Sequence, residues 1–242
     1  MASLKKIDID ESIKFAKDNK FIEQLNDIYK SVPSGSCTGC GNCCMESVGI
    51  NLIEFLNIYN YLSLNDDLRK KCLSKVIDYY FLEYVKKSPC PFKNEDNKCL
   101  IYEVRPLNCR LYGHWTKEDY NLNLDNVSKR NQKYAKIIND MYDFEISKEV
   151  VDFKINYCEK FKPNNRYLRK DERLSFSDSL MIIDSKIYSK GIMDIEFKDR
   201  GIVEYFIESM LNEHTAYNIK IRLSKDEFVR KCALNRLKAI LL

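Results

Sequence analysis

Within eight residues, Cys37-Thr38-Gly39-Cys40-Gly41-Asn42-Cys43-Cys44, the chain carries four thiols. Thiolates this close repel one another and cannot be buried together as charges without a cation among them. A metal ion or cluster meets that need by binding the sulfurs directly, and the small residues between them let the backbone wrap around it. Six further cysteines, Cys72, Cys90, Cys99, Cys109, Cys158 and Cys232, bring the total to ten. Two of these read as structural thiols packed in apolar helical stripes: Cys72 between Leu68 and Val76, and Cys232 beside Phe228 and Val229.

The spacing speaks to the kind of metal. Three thiols at two-residue intervals, completed by a distant Cys-Pro, are the arrangement of bacterial ferredoxin clusters. Cys37, Cys40 and Cys43 supply the triplet, and Cys90-Pro91 supplies the remote pair. A 4Fe–4S cluster is therefore expected, with zinc as the alternative, since tetrahedral zinc sites draw on separated thiolate pairs. Cys44, Cys99, Cys109 and Cys158 are enough for a second four-coordinate site, or else some of them stay free or stand behind the ligands. Radical SAM chemistry is disfavoured: Cys40 and Cys44 stand three residues apart inside, but Ser47 occupies the place of the third thiol. No phosphate-cradling glycine loop occurs. With only His114 and His214, catalytic zinc patterns built on two or three imidazoles are nearly excluded. His114 reads as a surface or packing residue. Arg105 and Arg110 flank Cys109 together with Tyr102. A guanidinium there would offset thiolate charge and donate hydrogen bonds to sulfur, unless it merely pairs with Glu103.

These side chains need a scaffold, and the apolar periodicity makes that scaffold mostly α-helical, with a loop-rich, metal-organised cysteine region and few short strands at most. Asp10 to Lys30 reads as two short helices broken near Asn19. Asn51 with Glu54 three residues on marks a helix start, and another helix is expected from Asn65 to Lys87. Pro106 suits the first turn of a short helix carrying Cys109. Further helices are expected over 124–142, 175–190, 200–213 and 224–241, the last opened by a Ser224–Glu227 capping box. Residues 148–158 are ambiguous between strand and helix. Pro163-Asn164-Asn165 divides a cysteine-cluster region, 1–162, from a helical region, 163–242, possibly packed on the first.

The ordered set Cys37-x2-Cys40-x2-Cys43-Cys44, Cys90-Pro91-Phe92 and Cys99-Leu-Ile-Tyr102-Glu-Val-Arg105-Pro106-x2-Cys109-Arg110 resembles the YkgJ or CxxCxxCC family of zinc- or iron-chelating proteins. The resemblance covers residues 37–115 and extends to Cys158. It implies metal ligands among Cys37, Cys40, Cys43, Cys44, Cys90, Cys99, Cys109 and Cys158. A distant similarity to the flagellin lysine N-methylase FliB, whose cysteine spacing differs, implies metal-dependent protein modification.

Composition narrows the setting. The 40 basic and 36 acidic residues nearly cancel, to a net +4, and the lysine pairs are short, so no nucleic-acid partner is expected. No run approaches the roughly 18 apolar residues of a membrane span, and the N-terminus lacks an apolar signal core. A cytoplasmic setting follows, and reduced cysteines there favour metal or redox chemistry over disulfides. Three functions remain open. The chain is an iron–sulfur protein in redox or in peptide or protein modification, a zinc module that binds a partner, or a metal store or carrier. Substrate, catalysis and oligomeric state are not encoded in any feature of the sequence.

Overall fold

The computed structural model describes residues 2–242, apart from the Lys231 side chain. About 62% of the chain is helical, and the only sheets among the described residues are two antiparallel pairs of two-residue strands. No helix among the described residues is long and apolar enough to cross a membrane.

At the centre lies α3 (Leu52–Ser63), buried from Leu52 through Tyr59 without a break. A helix apolar on every side must be wrapped by others. Around it pack α1 (Lys6–Asp18), α2 (Phe21–Ser31), α4 (Asp66–Leu82) and α8 (Lys170–Lys190). Then α9 (Ile202–Glu208) lays Tyr205 flat on Phe55, with ring centroids 4.8 Å apart, and sets Phe206 edge-on at 5.3 Å. Residues on both sides of position 163 thus share one hydrophobic core. The long α6 (Lys117–Tyr142) buries only Tyr120 and Ile138 and lies on the surface.

Two buried carboxylates fix the start of α3. Asp184, from α8, accepts the Leu52 and Ile53 backbone N–H groups at 2.7 and 2.8 Å and the Asn51 side-chain amide at 3.2 Å. Glu54 accepts the Asn51 N–H at 2.9 Å, as the Asn51/Glu54 spacing predicts. Its other oxygen takes the Tyr29 hydroxyl at 2.8 Å and the Leu107 N–H at 2.6 Å. Leu107 opens α5 (Leu107–Leu111), so one carboxylate ties α2, α3 and the Cys109 helix together.

The cysteine loop is held between two small ladders. At its entrance β1 (Gly35–Ser36) pairs with β3 (Lys162–Pro163); at its exit β2 (Gly49–Ile50) pairs with β4 (Arg200–Gly201).

Some sequence expectations shift. The break near Asn19 and the short helix after Pro106 are present, but α6 starts earlier than expected, at Thr116, whose hydroxyl caps the Asp119 N–H. Residues 148–158 form one helical turn, α7 (Lys148–Val151), followed by irregular chain. The Ser224–Glu227 capping box does not form. Ser224 ends inside α10 (Glu213–Lys225), bonded to the Lys220 carbonyl, and Asp226 caps α11 (Glu227–Leu241) instead. Asp226 takes the role because α10 runs on through Ser224 to Lys225, leaving Asp226 as the extended residue whose carboxylate accepts the Val229 N–H at 3.0 Å. Cys72 is fully buried as expected, whereas Cys232 is exposed. The inner stripe of α11 runs through Val229, Ala233, Leu234, Leu237 and Leu241, and Cys232 faces away from it.

Burial pushes the Asp184 carboxyl up to about 6. A raised folded-state pKa gives stability that is complete below the unfolded value near 4 and lost as pH climbs through about 6. Asp184→Asn removes this titration, and the fall in unfolding free energy between about pH 4 and about pH 6 should be shallower than in the wild type. Asp184→Ala leaves two helix N–H groups unpaired and should cost about 3 kcal/mol in urea denaturation at neutral pH.

Candidate metal centre

All ten cysteines are free thiols, and eight of them gather at one end of the molecule. Three chain segments deliver them. The first is the loop 37–44, whose Gly39 and Gly41 adopt φ values of +65° and +68° that side-chain-bearing residues rarely tolerate. These turns aim backbone N–H groups at sulfur: the Gly39 N–H donates to Cys37 Sγ at 3.4 Å, and that of Asn42 bonds to Cys40 and holds its thiol below the usual range.

The second segment is the hairpin-like turn 90–101. The Cys90 N–H donates to the Cys44 carbonyl at 3.0 Å, Leu100 N–H to Phe92 O at 2.7 Å, and Lys93 bridges to Cys99. Cys90 and Cys99 are thereby placed against Cys44, and each sulfur takes the backbone N–H two residues on, from Phe92 and Ile101. Burial still dominates, pushing Cys90 up to about 12 and raising Cys99. The third segment carries Cys109 on α5. Packed protein, then Cys90, Cys99 and Cys44, raise its thiol, although the residue keeps solvent access at the cavity mouth.

Cys158 arrives from outside these segments, on a strap spanning 153–161. Tyrosine hydroxyls hold its backbone: Tyr112 to Asn156 O at 2.9 Å, Tyr120 to Ile155 O, and in reverse Tyr157 to Trp115 O at 3.0 Å. Phe161 then wedges its ring against Gly35 and Gly113, where any Cβ would overlap it at 2.2–2.3 Å.

The thiols surround two adjoining cavities. One, of about 390 Å³, is lined by Cys37, Cys43, Cys44, Cys90, Cys99 and Cys109. The other, of about 530 Å³, is lined by Cys37, Cys40, Cys43 and Cys158. Among the described residues, no three Cys, His, Asp or Glu side chains converge closely enough to hold a single metal ion. Cys90, placed by spacing as the partner of the Cys37-Cys40-Cys43 triplet, shares a cavity with Cys37 and Cys43 but not with Cys40.

Charge around the thiols is uneven. The Cys43 thiol hydrogen-bonds its neighbour, which holds Cys44 down to about 7 with help from Lys93 and Arg105. Arg105 lines the six-thiol cavity and stacks on Tyr102 at 4.2 Å. Its Nε is buried and makes no hydrogen bond among the described residues. A buried N–H donor without an acceptor, on the wall of a thiol cavity, suits a ligated sulfur at that position. Arg110 does something else. It donates to the Arg105 and Glu103 carbonyls at 2.9 and 2.8 Å and lies over Tyr29 at 4.1 Å, bracing the loop rather than facing the thiols.

Sequence reasoning places both arginines alike because each is near Cys109 in the chain; only the folded loop separates their roles. His114 is buried and packs its ring 4.7 Å from Phe161, and it lines neither cavity. The strap tyrosines carry no sequence signal beyond an abundance of tyrosine.

The family model CxxCxxCC, described as "Putative zinc- or iron-chelating domain", matches residues 36–137. No solved structure matches the chain.

The wedge at Phe161 gives a direct check on how Cys158 is positioned. Gly113→Ala should displace the ring, lower stability by about 1–3 kcal/mol, and raise amide exchange over 155–161 while α3 stays protected.

Proposed function

We propose, from the match of residues 36–137 to the CxxCxxCC zinc- or iron-chelating domain, that the chain is an iron–sulfur protein with a redox role. The observation that carries this is the six-thiol cavity. A single zinc ion needs four donors about 2.0–2.3 Å from one point. Six thiols spread around about 390 Å³, with no three of them converged, better suit a cluster several atoms across.

When bound, such a cluster supplies one-electron chemistry. The chain's own part is electrostatic. The backbone N–H groups of Phe92 and Ile101, which reach the Cys90 and Cys99 sulfurs, and the buried Arg105 Nε would donate to sulfur and offset the anionic charge of the ligated centre. The largely apolar wall, including Phe92, Ile101 and Ile202, limits water there. A redox centre of this kind could serve the modification of a peptide or protein.

One observation favours a second reading. Cys37/Cys40 and Cys90/Cys99 come as two separated pairs of cysteines whose sulfurs accept the N–H two residues on. Separated thiolate pairs are also how tetrahedral zinc sites are built. Under that reading the metal orders the cysteine loops, and the helices bind a partner.

Protein purified without oxygen should be brown, bleach with dithionite and contain iron and acid-labile sulfide in matching amounts. A colourless protein with stoichiometric zinc would remove the redox reading and leave the structural one. Arg105→Gln should retain the helical fold but hold metal about 10- to 100-fold less tightly against a chelator. Retention equal to wild type would show that the guanidinium does not act on the ligated sulfurs.

A further inference from the structure

The two cavities do not share their cysteines evenly. Cys44, Cys90, Cys99 and Cys109 line only the six-thiol cavity, whereas Cys40 and Cys158 line only its neighbour. Cys37 and Cys43 form the wall between. We infer that the eight thiols divide into two adjacent four-thiol metal sites, an inner one of Cys44, Cys90, Cys99 and Cys109 and an outer one of Cys37, Cys40, Cys43 and Cys158. The inference rests on the metal-binding reading above and adds a second centre, whose fourth ligand lies beyond the matched segment 36–137.

Three observations assign the wall residues. The inner set reaches four without them, and four thiolates complete a tetrahedral ion or a cubane cluster. Its members are also tied to one another: the Cys90 N–H bonds to the Cys44 carbonyl, and the Lys93–Cys99 bridge closes the turn that carries Cys90 and Cys99. Second, Cys37 and Cys40 belong to one local unit, since the Gly39 N–H lying between them in sequence bonds to Cys37 Sγ. Third, Cys43, although its thiol also meets Cys44 across the wall, lines the outer cavity with Cys158 and with Tyr112, whose hydroxyl holds the strap at Asn156. The partition also repeats a pattern. Each set has two cysteines whose sulfur meets the N–H two residues on.

Neither set is drawn in to bonding distance by the chain alone. Closure requires side-chain rotation on backbones that the ladders and the strap already fix. Each set presents one exposed thiol, Cys109 in the inner and Cys37 in the outer, and three partly buried ones.

The test is metal and sulfide content per chain in wild type, Cys109→Ser, Cys158→Ser, Cys37→Ser and the Cys37→Ser/Cys158→Ser pair, with far-ultraviolet circular dichroism reporting the fold. Wild type should hold two centres. Cys109→Ser and Cys158→Ser should each lose one half, and the double variant should lose no more than Cys158→Ser alone. One centre per wild-type chain would overturn the partition. So would full metal content in Cys158→Ser, or loss of all metal from it with helicity intact. Zinc without sulfide, halved by the same substitutions, would instead remove the iron–sulfur reading and leave the partition standing.

Discussion

Glu54 is where the cysteine region is joined to the helical core. Its buried carboxylate holds the Tyr29 hydroxyl, the Asn51 N–H and the Leu107 N–H at once, so α2, α3 and α5 are fixed against one another. Burial raises its pKa, but three donors offset the desolvation and keep an ion-like acceptor inside the protein. A loop cannot hold a thiol in place unless something beneath it is rigid. Here the rigidity passes from the central helix through one carboxylate to the helix that carries Cys109, while Arg110, stacked over Tyr29, ties the preceding loop to the same point.

The remaining thiols depend on weaker anchors of the same kind. Two-residue ladders at each end of the cysteine loop contribute few hydrogen bonds, yet they set where the loop begins and ends. Positive-φ glycines make the turns that aim N–H groups at sulfur. The strap that carries Cys158 has almost no secondary structure and is held by tyrosine hydroxyls and one wedged phenylalanine. Such a region is expected to be the least stable part of the fold without a ligand, because so little apolar surface is buried in it. A bound metal would stabilise it by mass action.

Much of this was legible in the sequence where the signal is local. The Asn51/Glu54 pair announced the start of α3, and the cysteine spacing announced a thiol-rich centre. Local signals also misled. Ser224 and Glu227 have the spacing of a capping box, but Asp226 caps the helix because α10 runs on through Ser224. Cys232 sits among apolar residues in sequence and faces solvent because α11 buries a different stripe. What spacing could not supply was pairing across distance. Cys158 meets the loop 37–43 only because Tyr112 and Tyr120 hold the strap there, and Arg105 parts from Arg110 only through the fold of the loop between them. Asp184, more than a hundred residues from the helix it caps, had no local signature at all.

If crowded thiols are kept reduced and side by side because they bind metal, the bound metal should see sulfur and little else. X-ray absorption at the metal edge, measured on protein purified without oxygen, reads that shell directly. The account expects a first shell of about four sulfurs per metal atom. A shell of oxygen and nitrogen, or protein that is metal-free with its thiols still reduced and accessible, would contradict it.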